Sequence, residues 1–484
     1  MTLHVTNTLT GERETFEPQD PESVLLYYCG LTVSDFAHLG HARSWVHVDV
    51  MHRWLEHSGY DVRHVENFTD VNEKIVARIG EDELGDSEGE IAQKFISEVI
   101  EDMRSLNLLR AEVYPRVSEH IPEIIDLVET LIEKGYAYES NGSVYFDVTK
   151  FEEYGKLSNQ QVEEMEAQGE EDELADKRHA ADFALWKAGE AHPDDASSGG
   201  QTWESPWSEG RPGWHIECSA MSQTHLGDTI DIHVGGQDLV FPHHENEIAQ
   251  SEAATGKQFV NYWLHVRLLE TGGEKMSSSL QNYFTVRNAV AEFGGDAIRM
   301  FLLSTAYNNR QTYSEEVLEE AVERWERLER GYERAVEAVD SPTARTKVED
   351  DALRAAVAET RDTFAEAMND DFNTREAITA LLELVSAVNK HLDSNEEYDY
   401  RALCDAVETF EELGEDVLGF ALVGDGEGDV HLLEEVVELV LDLREQERDS
   451  GNYERADELR DDLEALGVEV QDTDEGPTFR LGDT

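Results

Sequence analysis

Two histidines stand three positions apart early in the chain, His38 and His41, with Gly40 between them. They lie where a short apolar segment gives way to a helical pattern. The first turn of a helix offers free backbone N–H groups and a partial positive charge, which suits phosphate groups. Imidazoles placed there can donate hydrogen bonds to triphosphate oxygens as negative charge develops on them. Nearby histidines are also common without such a role, and it is their position after a predicted strand that favours phosphate chemistry.

A second candidate is the segment Lys275-Met276-Ser277-Ser278-Ser279, which follows Gly272-Gly273-Glu274. Glycines, hydroxyl groups and one lysine make a loop that can close over a leaving pyrophosphate and neutralise its charge. Serine-rich segments are usually ordinary loops. Taken together with His38 and His41, the segment predicts a site that handles a triphosphate.

The elements around His38 and His41 read as the opening of a parallel α/β fold. Residues 23–33 are short, apolar and rich in β-forming side chains, which predicts a buried strand. The helical pattern that follows ends at Gly59-Tyr60, and a second strand is predicted at Val62–Val65. Strand, glycine-bearing turn, helix and strand are the beginning of a Rossmann-like domain.

The rest of the chain divides by composition. An amphipathic helix at 121–136, an acidic run at 160–176 and a polar loop at 189–201 read as an insertion. The α/β pattern resumes near Trp203, with a strand at Ile230–Val234 and a helix from about His244. From about residue 315 the pattern is helical, and after a linker at 423–430 it predicts two more helices. The predicted fold class is therefore α/β followed by all-α, with the α/β part split by an insertion.

At this point the sequence resembles class I aminoacyl-tRNA synthetases, whose two ATP signatures have the forms H-I-G-H and K-M-S-K-S. More closely, it is similar to the cysteinyl-tRNA synthetases. The resemblance extends from about residue 3 to the C-terminus and is loosest in the acidic middle stretch. The stretches that carry it are Tyr28-Cys29-Gly30-Leu31-Thr32-Val33, Asn67-Phe68-Thr69-Asp70, Gly213-Trp214-His215-Ile216-Glu217-Cys218-Ser219-Ala220-Met221, Phe241-Pro242-His243-His244-Glu245-Asn246-Glu247 and Asp370-Asp371-Phe372-Asn373-Thr374.

The resemblance implies ATP-dependent activation of L-cysteine to cysteinyl-adenylate and transfer of cysteine to the 3′ end of tRNA(Cys), with Mg²⁺ accompanying ATP. It also gives the predicted segments their roles. These are the first half of the catalytic domain (1–112), a connective insertion (113–200), the second half of the catalytic domain (201–265), a signature-loop and stem-contact region (266–314), a helical bundle that contacts tRNA (315–424) and an anticodon-binding region (425–484).

One zinc ion per chain is implied by the same resemblance, held by Cys29, Cys218, His243 and Glu247. Two thiolates, an imidazole and a carboxylate are a plausible zinc set, and on a helix His243 and Glu247 would share a face. A pair of buried free cysteines is also common without a metal. Zinc can separate cysteine from serine, because a thiolate binds it far better than a neutral alcohol does. Cys404 reads as a core or surface thiol.

The resemblance further assigns the pocket around the substrates. Gly30 and Thr69 would lie beside the amino acid, Trp214 and His233 would wall its side chain, and Asp238 would bind its ammonium group. Gly235 and Gly236 would let adenosine approach the strand end. His38, His41 and Lys275 would stabilise the transferred phosphate, with Ser277 and Ser278 in the same loop as Lys275.

Ser278 departs from the family pattern, which has a lysine as the fourth residue of the second signature. A serine donates a neutral hydrogen bond, which is weaker than a charge-assisted one. We therefore expect Lys275 to carry more of the transition-state charge here. Mg²⁺ or another basic group such as Arg310 would compensate for the missing cation.

The chain carries 107 acidic and 39 basic residues, a formal net charge of −68, spread along its whole length. Few lysines and intact hydrophobic periodicity predict adaptation to a very salty cytoplasm, where screening silences self-repulsion. In such salt, counterion release contributes little to RNA binding, so shape, stacking and base contacts must carry it. One group of arginines is either a tRNA contact or a set of partners for neighbouring glutamates: Arg324, Arg327, Arg330 and Arg334.

Several classes of protein are disfavoured. Three cysteines argue against a disulfide framework. The longest apolar stretch, about Val24–Val33, is too short to cross a bilayer, and the N-terminal residues carry no signal pattern. We expect a soluble, cytoplasmic protein that acts as a monomer and has no membrane partner. Two alternatives remain: a ligase that joins cysteine to an amino-sugar, which should lack the long helical tail, and a non-catalytic RNA-binding paralogue.

Overall fold

A computed structural model describes most of the 484-residue chain. The described residues are 2–81, 84–161, 176–189, 200–271, 274–275, 284–423, 437, 440–441, 444, 455, 459–460, 463, 468–473 and 476–481. They form two compact units, Met1–Phe420 and Ala421–Thr484. Ser277, Ser278, most of the acidic run at 160–176 and most of the polar loop at 189–201 lie outside the described residues.

The first unit is built on a sheet of four parallel strands. Their order across the sheet is Val260–Val266, Ile230–Gly236, Ser23–Tyr28 and Asp61–Glu66. The three predicted strands of this sheet are confirmed, although the first ends at Tyr28 and not at Val33. Chain order reverses between Ser23–Tyr28 and Ile230–Gly236, and ligands of such sheets bind where the carboxyl ends of the strands meet at the reversal.

Helices cover the sheet and begin close to its carboxyl edge. Helix Leu39–His57 is capped at its N-terminus by the His38 side chain, and it ends before Gly59, as predicted. Helix Glu245–Thr255 follows a short π-helical turn at Val240–His244. The other helices of this part of the chain are Glu73–Val76, Glu88–Ser105 and Trp214–Leu226.

The insertion and the residues just after it form a second, antiparallel sheet that the sequence pattern did not predict. Its strands in spatial order are Ala137–Ser140, Ser143–Phe146, Phe183–Ala188 and Gly210–Pro212. Helix Ile121–Glu133, which the pattern did predict, shares a core with this sheet and with helix Glu245–Thr255. The insertion therefore packs directly on the second half of the Rossmann-like domain.

Short strands and a helical bundle complete the first unit. The sheet after the Rossmann-like domain is formed by Leu269–Thr271, Glu274–Lys275 and Gln311–Tyr313, with helices Val286–Phe293 and Gly295–Leu303 beside it. The predicted helical part is confirmed as helices Glu315–Asp340, Asp351–Asn369, Thr374–Ser394 and Tyr400–Phe410. Four further strands pair in twos, His4–Asn7 with Glu12–Thr15 and Ala344–Arg345 with Tyr398–Asp399.

In the second unit, the clearest element is a hairpin that the sequence pattern did not predict. Strands Val468–Thr473 and Gly476–Leu481 pair antiparallel, with Val468 opposite Leu481. Val437, Leu441, Leu463 and Val468 form a small buried cluster. The predicted linker lies outside the described residues, apart from Val423. Throughout the described part of the chain, we find no helix with the length and apolar character that a membrane crossing requires.

Candidate active site

Four side chains from distant parts of the sequence meet at the reversal point of the sheet. Cys29 follows the strand Ser23–Tyr28, Cys218 lies in helix Trp214–Leu226, and His243 and Glu247 flank the start of helix Glu245–Thr255. One potential ligand atom from each lies within 4.8 Å of all the others, and all four residues are buried. The structure therefore brings together the whole set that the resemblance assigned to zinc.

The spacing of these atoms suits a tetrahedral ion. Zinc bonded to two thiolates and one imidazole would set the sulfurs about 3.8 Å apart and each sulfur about 3.6 Å from the nitrogen. The observed separations are 3.7 Å between the two Sγ atoms and 3.5 Å between Cys29 Sγ and His243 Nε2. Glu247 Oε1 lies 3.1 Å from the same nitrogen. The donor set and its geometry both fit zinc.

Three further side chains hold these donors in place: Asn67 and His233, which are buried, and His215, which is half-buried. His215 Nδ1 lies 3.0 Å from His243 Nδ1, and His233 Nε2 lies 3.0 Å from Glu247 Oε2. Asn67 Oδ1 lies 3.7 Å from Cys218 Sγ and accepts hydrogen bonds from Gly30 N–H and Tyr27 O–H, both at 3.0 Å. Such partners orient metal ligands and tune their basicity.

The cluster concentrates charge inside the protein. Burial raises the pKa of Glu247, but the imidazoles of His233 and His243 outweigh it and lower the pKa to about 2. Burial lowers the pKa of His243, yet Cys218 and Glu247 raise it to about 10. The hydrogen bond with Cys29 and burial both raise the pKa of the Cys218 thiol. A metal ion would have to displace these protons, so its binding would strengthen as pH rises.

Glu247 also belongs to a second possible group with His233 and His244. His244 Nε2 lies 3.9 Å from Glu247 Oε1, while its Nδ1 lies 2.8 Å from His265 Nε2. This group offers three donors and no thiolate, whereas the first offers four donors that include two sulfurs, the ligands that zinc favours. The histidine to which the resemblance assigned a metal, His243, is therefore the better placed of the two.

A cavity of about 1880 Å³, counting the part open to solvent, extends from Cys29 toward the start of helix Leu39–His57. We call it the adenylate cavity. His38 and His41 line it, with their rings stacked at 3.8 Å. Each Nδ1 accepts a backbone N–H, from Gly40 at 3.0 Å and from His38 at 3.3 Å. A neutral ring that accepts at Nδ1 carries its proton on Nε2, so both imidazoles are set up as Nε2–H donors.

The structure divides the other predicted pocket residues into two groups. Gly30, Trp214, Gly236 and Asp238 line the adenylate cavity. Thr69, His233 and Gly235 are not among its lining residues. Thr69 accepts a hydrogen bond from Asn67, and a side chain at Gly235 would collide with the ring of His244. His233 contacts Glu247, and its ring stacks on that of Trp263 with 4.3 Å between the ring centres.

Lys275 lies on the short strand Glu274–Lys275, where it pairs with Glu270. Leu269, the residue before Glu270, lines the adenylate cavity, so the strand that carries Lys275 pairs with a strand that reaches this cavity. Arg310, which we named as a possible substitute for the missing lysine, forms an ion pair with Glu270 at 3.0 Å. Glu270 thus lies next to both basic residues.

Three of the four predicted arginines of helix Glu315–Asp340 have partners within the bundle, namely Arg327, Arg330 and Arg334. Arg330 pairs with Glu326 at 3.0 Å, and Arg334 pairs with Asp393 at 2.8 Å. Arg327 donates to Ser386 Oγ at 2.7 Å and to the Leu382 carbonyl at 3.1 Å. These contacts favour the interpretation that the arginines neutralise and brace their own helices.

Sequence reasoning missed three residues of the site: Asn67 and His265, which are buried, and His215, which is half-buried. It left His244 open as a weaker alternative to His243, at i,i+3 from Glu247. Asn67 and His215 lie inside the stretches that carry the resemblance, but nothing in their spacing indicates a role. His265 is on the edge strand Val260–Val266, where it lies 2.8 Å from Thr8 Oγ1. Only the folded arrangement brings these residues to the site.

Three family models match the chain in succession. They are described as the tRNA synthetases class I (C) catalytic domain over residues 15–323, the DALR domain over 363–423 and the cysteinyl-tRNA ligase anticodon binding domain over 431–480. A solved methionyl-tRNA synthetase of Mycobacterium tuberculosis, in complex with methionyl-adenylate, has the same fold, with a TM-score of 0.61 over 83% of this chain and 92% of its own at 16% identity. The fold and the site thus define a class I aminoacyl-tRNA synthetase.

Relatives of similar length narrow the class. The chain is 69% identical to the cysteine–tRNA ligase of Haloarcula marismortui over 99% of this chain and 100% of that protein. It is 65% identical to the cysteine–tRNA ligase of Halobacterium salinarum, again over 99% and 100%. The chain belongs to the cysteinyl-tRNA synthetase family.

Proposed function

We propose that this protein is a cysteine–tRNA ligase that activates L-cysteine with ATP and transfers it to tRNA(Cys). The observation that carries the proposal is the buried Cys29, Cys218, His243 and Glu247 cluster, which reaches the adenylate cavity through Cys29, with His38 and His41 along the same cavity. A cluster suited to a thiol-selective metal and a helix start suited to phosphates therefore adjoin one cavity. No sequence motif alone establishes that juxtaposition.

The four clustered residues would hold one zinc ion, which when bound would favour a thiolate substrate over an alcohol. Around it, this chain's own residues position the amino acid. Trp214 covers His243 with its ring at 4.3 Å and borders the cavity, and Asp238 supplies a carboxylate for the substrate ammonium. His233 acts on the cluster through Glu247, so its role is to position that carboxylate.

In the first reaction, the cysteine carboxylate attacks the α-phosphorus of ATP and pyrophosphate leaves with its bonding electron pair. His38 and His41 donate Nε2–H bonds to the phosphate oxygens, aided by the helix start and by Mg²⁺ that enters with ATP. Lys275 adds positive charge at the rim. Because charge stabilisation and orientation suffice, the protein supplies no covalent nucleophile.

In the second reaction, a ribose hydroxyl of the terminal adenosine attacks the carbonyl carbon of the adenylate. An ester C–O bond forms, the mixed-anhydride C–O bond breaks, and AMP leaves with the electron pair while the hydroxyl proton passes to solvent. The helical bundle and the C-terminal region would bind the body and anticodon of the tRNA. This reaction takes place in the cytoplasm, and the protein acts as a monomer. Sedimentation at about 2 M KCl would test the monomeric state.

The test is cysteine-dependent ATP–pyrophosphate exchange in high KCl, with serine as competitor and zinc content measured on the same sample. We expect exchange with cysteine alone and about one zinc ion per chain. Cys218→Ser should lose both the zinc and the exchange. Cys404→Ser is the matched control, because Cys404 lies in helix Tyr400–Phe410, outside the cluster, and should keep both.

Three outcomes would overturn the proposal. Exchange that serine supports equally would remove the thiol filter. No exchange from folded, zinc-loaded protein would favour a non-catalytic RNA-binding role. The first cause to test would then be Ser278, which stands where the family pattern has a lysine. Cysteine-dependent exchange followed by transfer to an amino-sugar, and not to tRNA, would identify the other ligase.

A further inference from the structure

A fully buried arginine joins the helix that begins at the two histidines to the region that carries the second signature. Arg43 lies in helix Leu39–His57, which we call the histidine helix, two positions after His41, and it is 0% exposed. Its guanidinium reaches out of this helix and into the segment 266–314, which contains Lys275. One side chain therefore connects the two parts of the predicted phosphate site.

The guanidinium uses every N–H donor that it has. A guanidinium carries five N–H groups in a planar fork, and Arg43 makes five hydrogen bonds. The acceptors are four backbone carbonyls and one side-chain amide: Arg267 O at 3.0 Å from Nε, Leu302 O at 3.2 Å from Nη1, Ala306 O at 3.0 Å and Asn309 O at 2.8 Å from Nη2, and Gln311 Oε1 beside Nη1. Because all five belong to one segment, the fork holds that segment against the histidine helix in a single orientation.

The bonds of Arg43 differ from those of a buried ion pair. Each acceptor is a neutral oxygen, so no carboxylate among them balances the charge. Burial lowers the pKa of Arg43 to about 9, which leaves the group charged at neutral pH. A buried charge without a counter-charge is costly, and an apolar side chain would fill a core more favourably. The arrangement therefore points to a role in positioning.

The small sheet on which the second signature starts is held by these bonds. Its middle strand, Leu269–Thr271, pairs with Gln311–Tyr313 on one side and with Glu274–Lys275 on the other. Arg43 is bonded to the first residue of Gln311–Tyr313 and to the residue two positions before the middle strand. The position of the strand that carries the signature lysine thus depends on the guanidinium.

The chain also returns to the histidine helix soon after the second signature. The Leu39 N–H donates to the Phe284 carbonyl at 3.0 Å, and the Val286 N–H donates to the Ala37 carbonyl at 2.9 Å. These two bonds lie on either side of His38. The second signature is therefore tied to the start of the histidine helix where the chain leaves it, by backbone bonds, and where the chain enters it, by the guanidinium.

We propose that Arg43 is a positioning residue for the activation of cysteine: it fixes the histidine helix against the strand that carries Lys275, so that both signatures act on the same phosphate groups. The inference rests on the proposed function. The charge at Lys275 is needed while pyrophosphate leaves, and pyrophosphate is gone when the tRNA attacks the adenylate. Loss of the fork should therefore slow the first reaction and spare the second.

The test is Arg43→Lys in the full, zinc-loaded chain in high KCl. Lysine keeps the charge but has three donors on one atom, so it cannot reproduce the fork. We expect pyrophosphate exchange at saturating substrates to slow by about tenfold or more, because small displacements of charged groups cost that much. The cysteine KM should stay within about twofold. Transfer from preformed adenylate to tRNA(Cys), measured in a single turnover, should also stay within about twofold.

Arg299→Lys is the matched control. Arg299 is also 0% exposed, and it is bonded to the histidine helix through Asp49. Its other acceptors are the carbonyls of Leu106, at 2.9 Å, and Leu418, both outside the segment that carries the second signature. Arg299→Lys should lower the urea midpoint as Arg43→Lys does, yet leave the exchange rate within about twofold.

Gln311→Met gives a second comparison if Arg43→Lys does not fold. It removes one of the five acceptors and leaves the guanidinium in place. The loss of one hydrogen bond should slow exchange by about threefold, again without slowing transfer to tRNA(Cys).

Four results would contradict the inference. They are an unchanged exchange rate in Arg43→Lys, an unchanged exchange rate in Gln311→Met, equal slowing of exchange and transfer, and equal slowing of exchange by Arg299→Lys. Equal slowing would mean that Arg43 only stabilises the fold. The natural protein separates the two kinds of failure. If it shows no exchange, the proposed function fails, whereas normal exchange in both the natural protein and Arg43→Lys would overturn the positioning role alone.

Discussion

Replacing Asn67 by alanine tests the idea that a buried amide, and not only the ligand set, shapes the thiol site. Asn67 is completely buried just past the strand Asp61–Glu66. Its Oδ1 accepts from Gly30 N–H and Tyr27 O–H and lies against Cys218 Sγ, while its Nδ2 donates to Thr69 Oγ1 at 3.3 Å. Asn67→Ala removes all four contacts.

The size of the expected stability loss follows from the hydrogen-bond donors that Asn67→Ala leaves without a partner. Two buried donors, Gly30 N–H and Tyr27 O–H, lose their partner, and each unpartnered buried donor costs about 1–3 kcal/mol. Water entering the vacated space recovers part of this. We expect the free energy of unfolding to fall by about 2–4 kcal/mol. Under the proposed function Gly30 and Cys218 would border the substrate thiol, so we expect the cysteine KM in pyrophosphate exchange to rise about tenfold.

Asn7→Ala is the control that separates stability from positioning. Asn7 is 2% exposed and satisfies a similar number of groups, accepting from Leu9 N–H and Trp263 N–H, both at 3.1 Å, and donating to the Asn261 carbonyl at 2.9 Å. It does not line the adenylate cavity. Both variants are compared by urea unfolding and by exchange in high KCl. The reasoning fails if they raise the cysteine KM equally, or if Asn67→Ala leaves it unchanged.

Two predictions concern stability alone. Burial raises the pKa of Glu66 from 4.5 to about 8, against the opposing hydrogen bond from Trp45. The folded protein therefore loses stability as pH rises from 4.5 toward 8. Over that range, the free energy of unfolding of Glu66→Gln should rise by about 2–4 kcal/mol relative to that of the natural protein. A difference in free energy of unfolding between Glu66→Gln and the natural protein that is the same at pH 5, 7 and 9 would contradict this. Gly419→Ala should cost more than about 3 kcal/mol, because Gly419 has φ +71° and a methyl group there would collide with the buried Arg299 guanidinium. Gly11→Ala, at φ +70° with open space around it, should lower the free energy of unfolding by only about 1 kcal/mol. Urea unfolding of both glycine variants measures the difference.

Three of the four strands of the central sheet could be predicted, because they are short apolar runs bounded by polar turns. The edge strand Val260–Val266 was not predicted. The insertion's sheet was not predicted, although Asn141-Gly142 joins two of its strands with φ of 52° and 86°. An Asn-Gly pair between β-rich runs is a strong hairpin signal, so this part was readable. The hairpin at Val468–Leu481 has no such pair.

The site was predictable only where one motif holds the residues together. Cys29 and Cys218 are far apart in the sequence, and their 3.7 Å approach exists because the sheet brings the first strand beside the helix from the second half. In the sequence, Asn67 and His265 look like ordinary polar residues. Because folding buries both, their side chains can form hydrogen bonds only with neighbouring groups inside the protein. Spacing carries no information about such partners, which is why the resemblance located the ligands and the structure located their supports.

Salt should act in opposite directions on the two halves of this reaction. Raising KCl from about 0.1 M to about 2 M shortens the Debye length from about 10 Å to about 2 Å, which relieves the repulsion within a chain of net charge −68. The same screening weakens contacts between basic side chains of the protein and the phosphates of the tRNA. We therefore expect the melting temperature and the exchange rate to rise together across this range, while the tRNA affinity passes through a maximum at lower salt. A melting temperature higher at 0.1 M than at 2 M KCl would refute the premise that the acidic surface is an adaptation to salt.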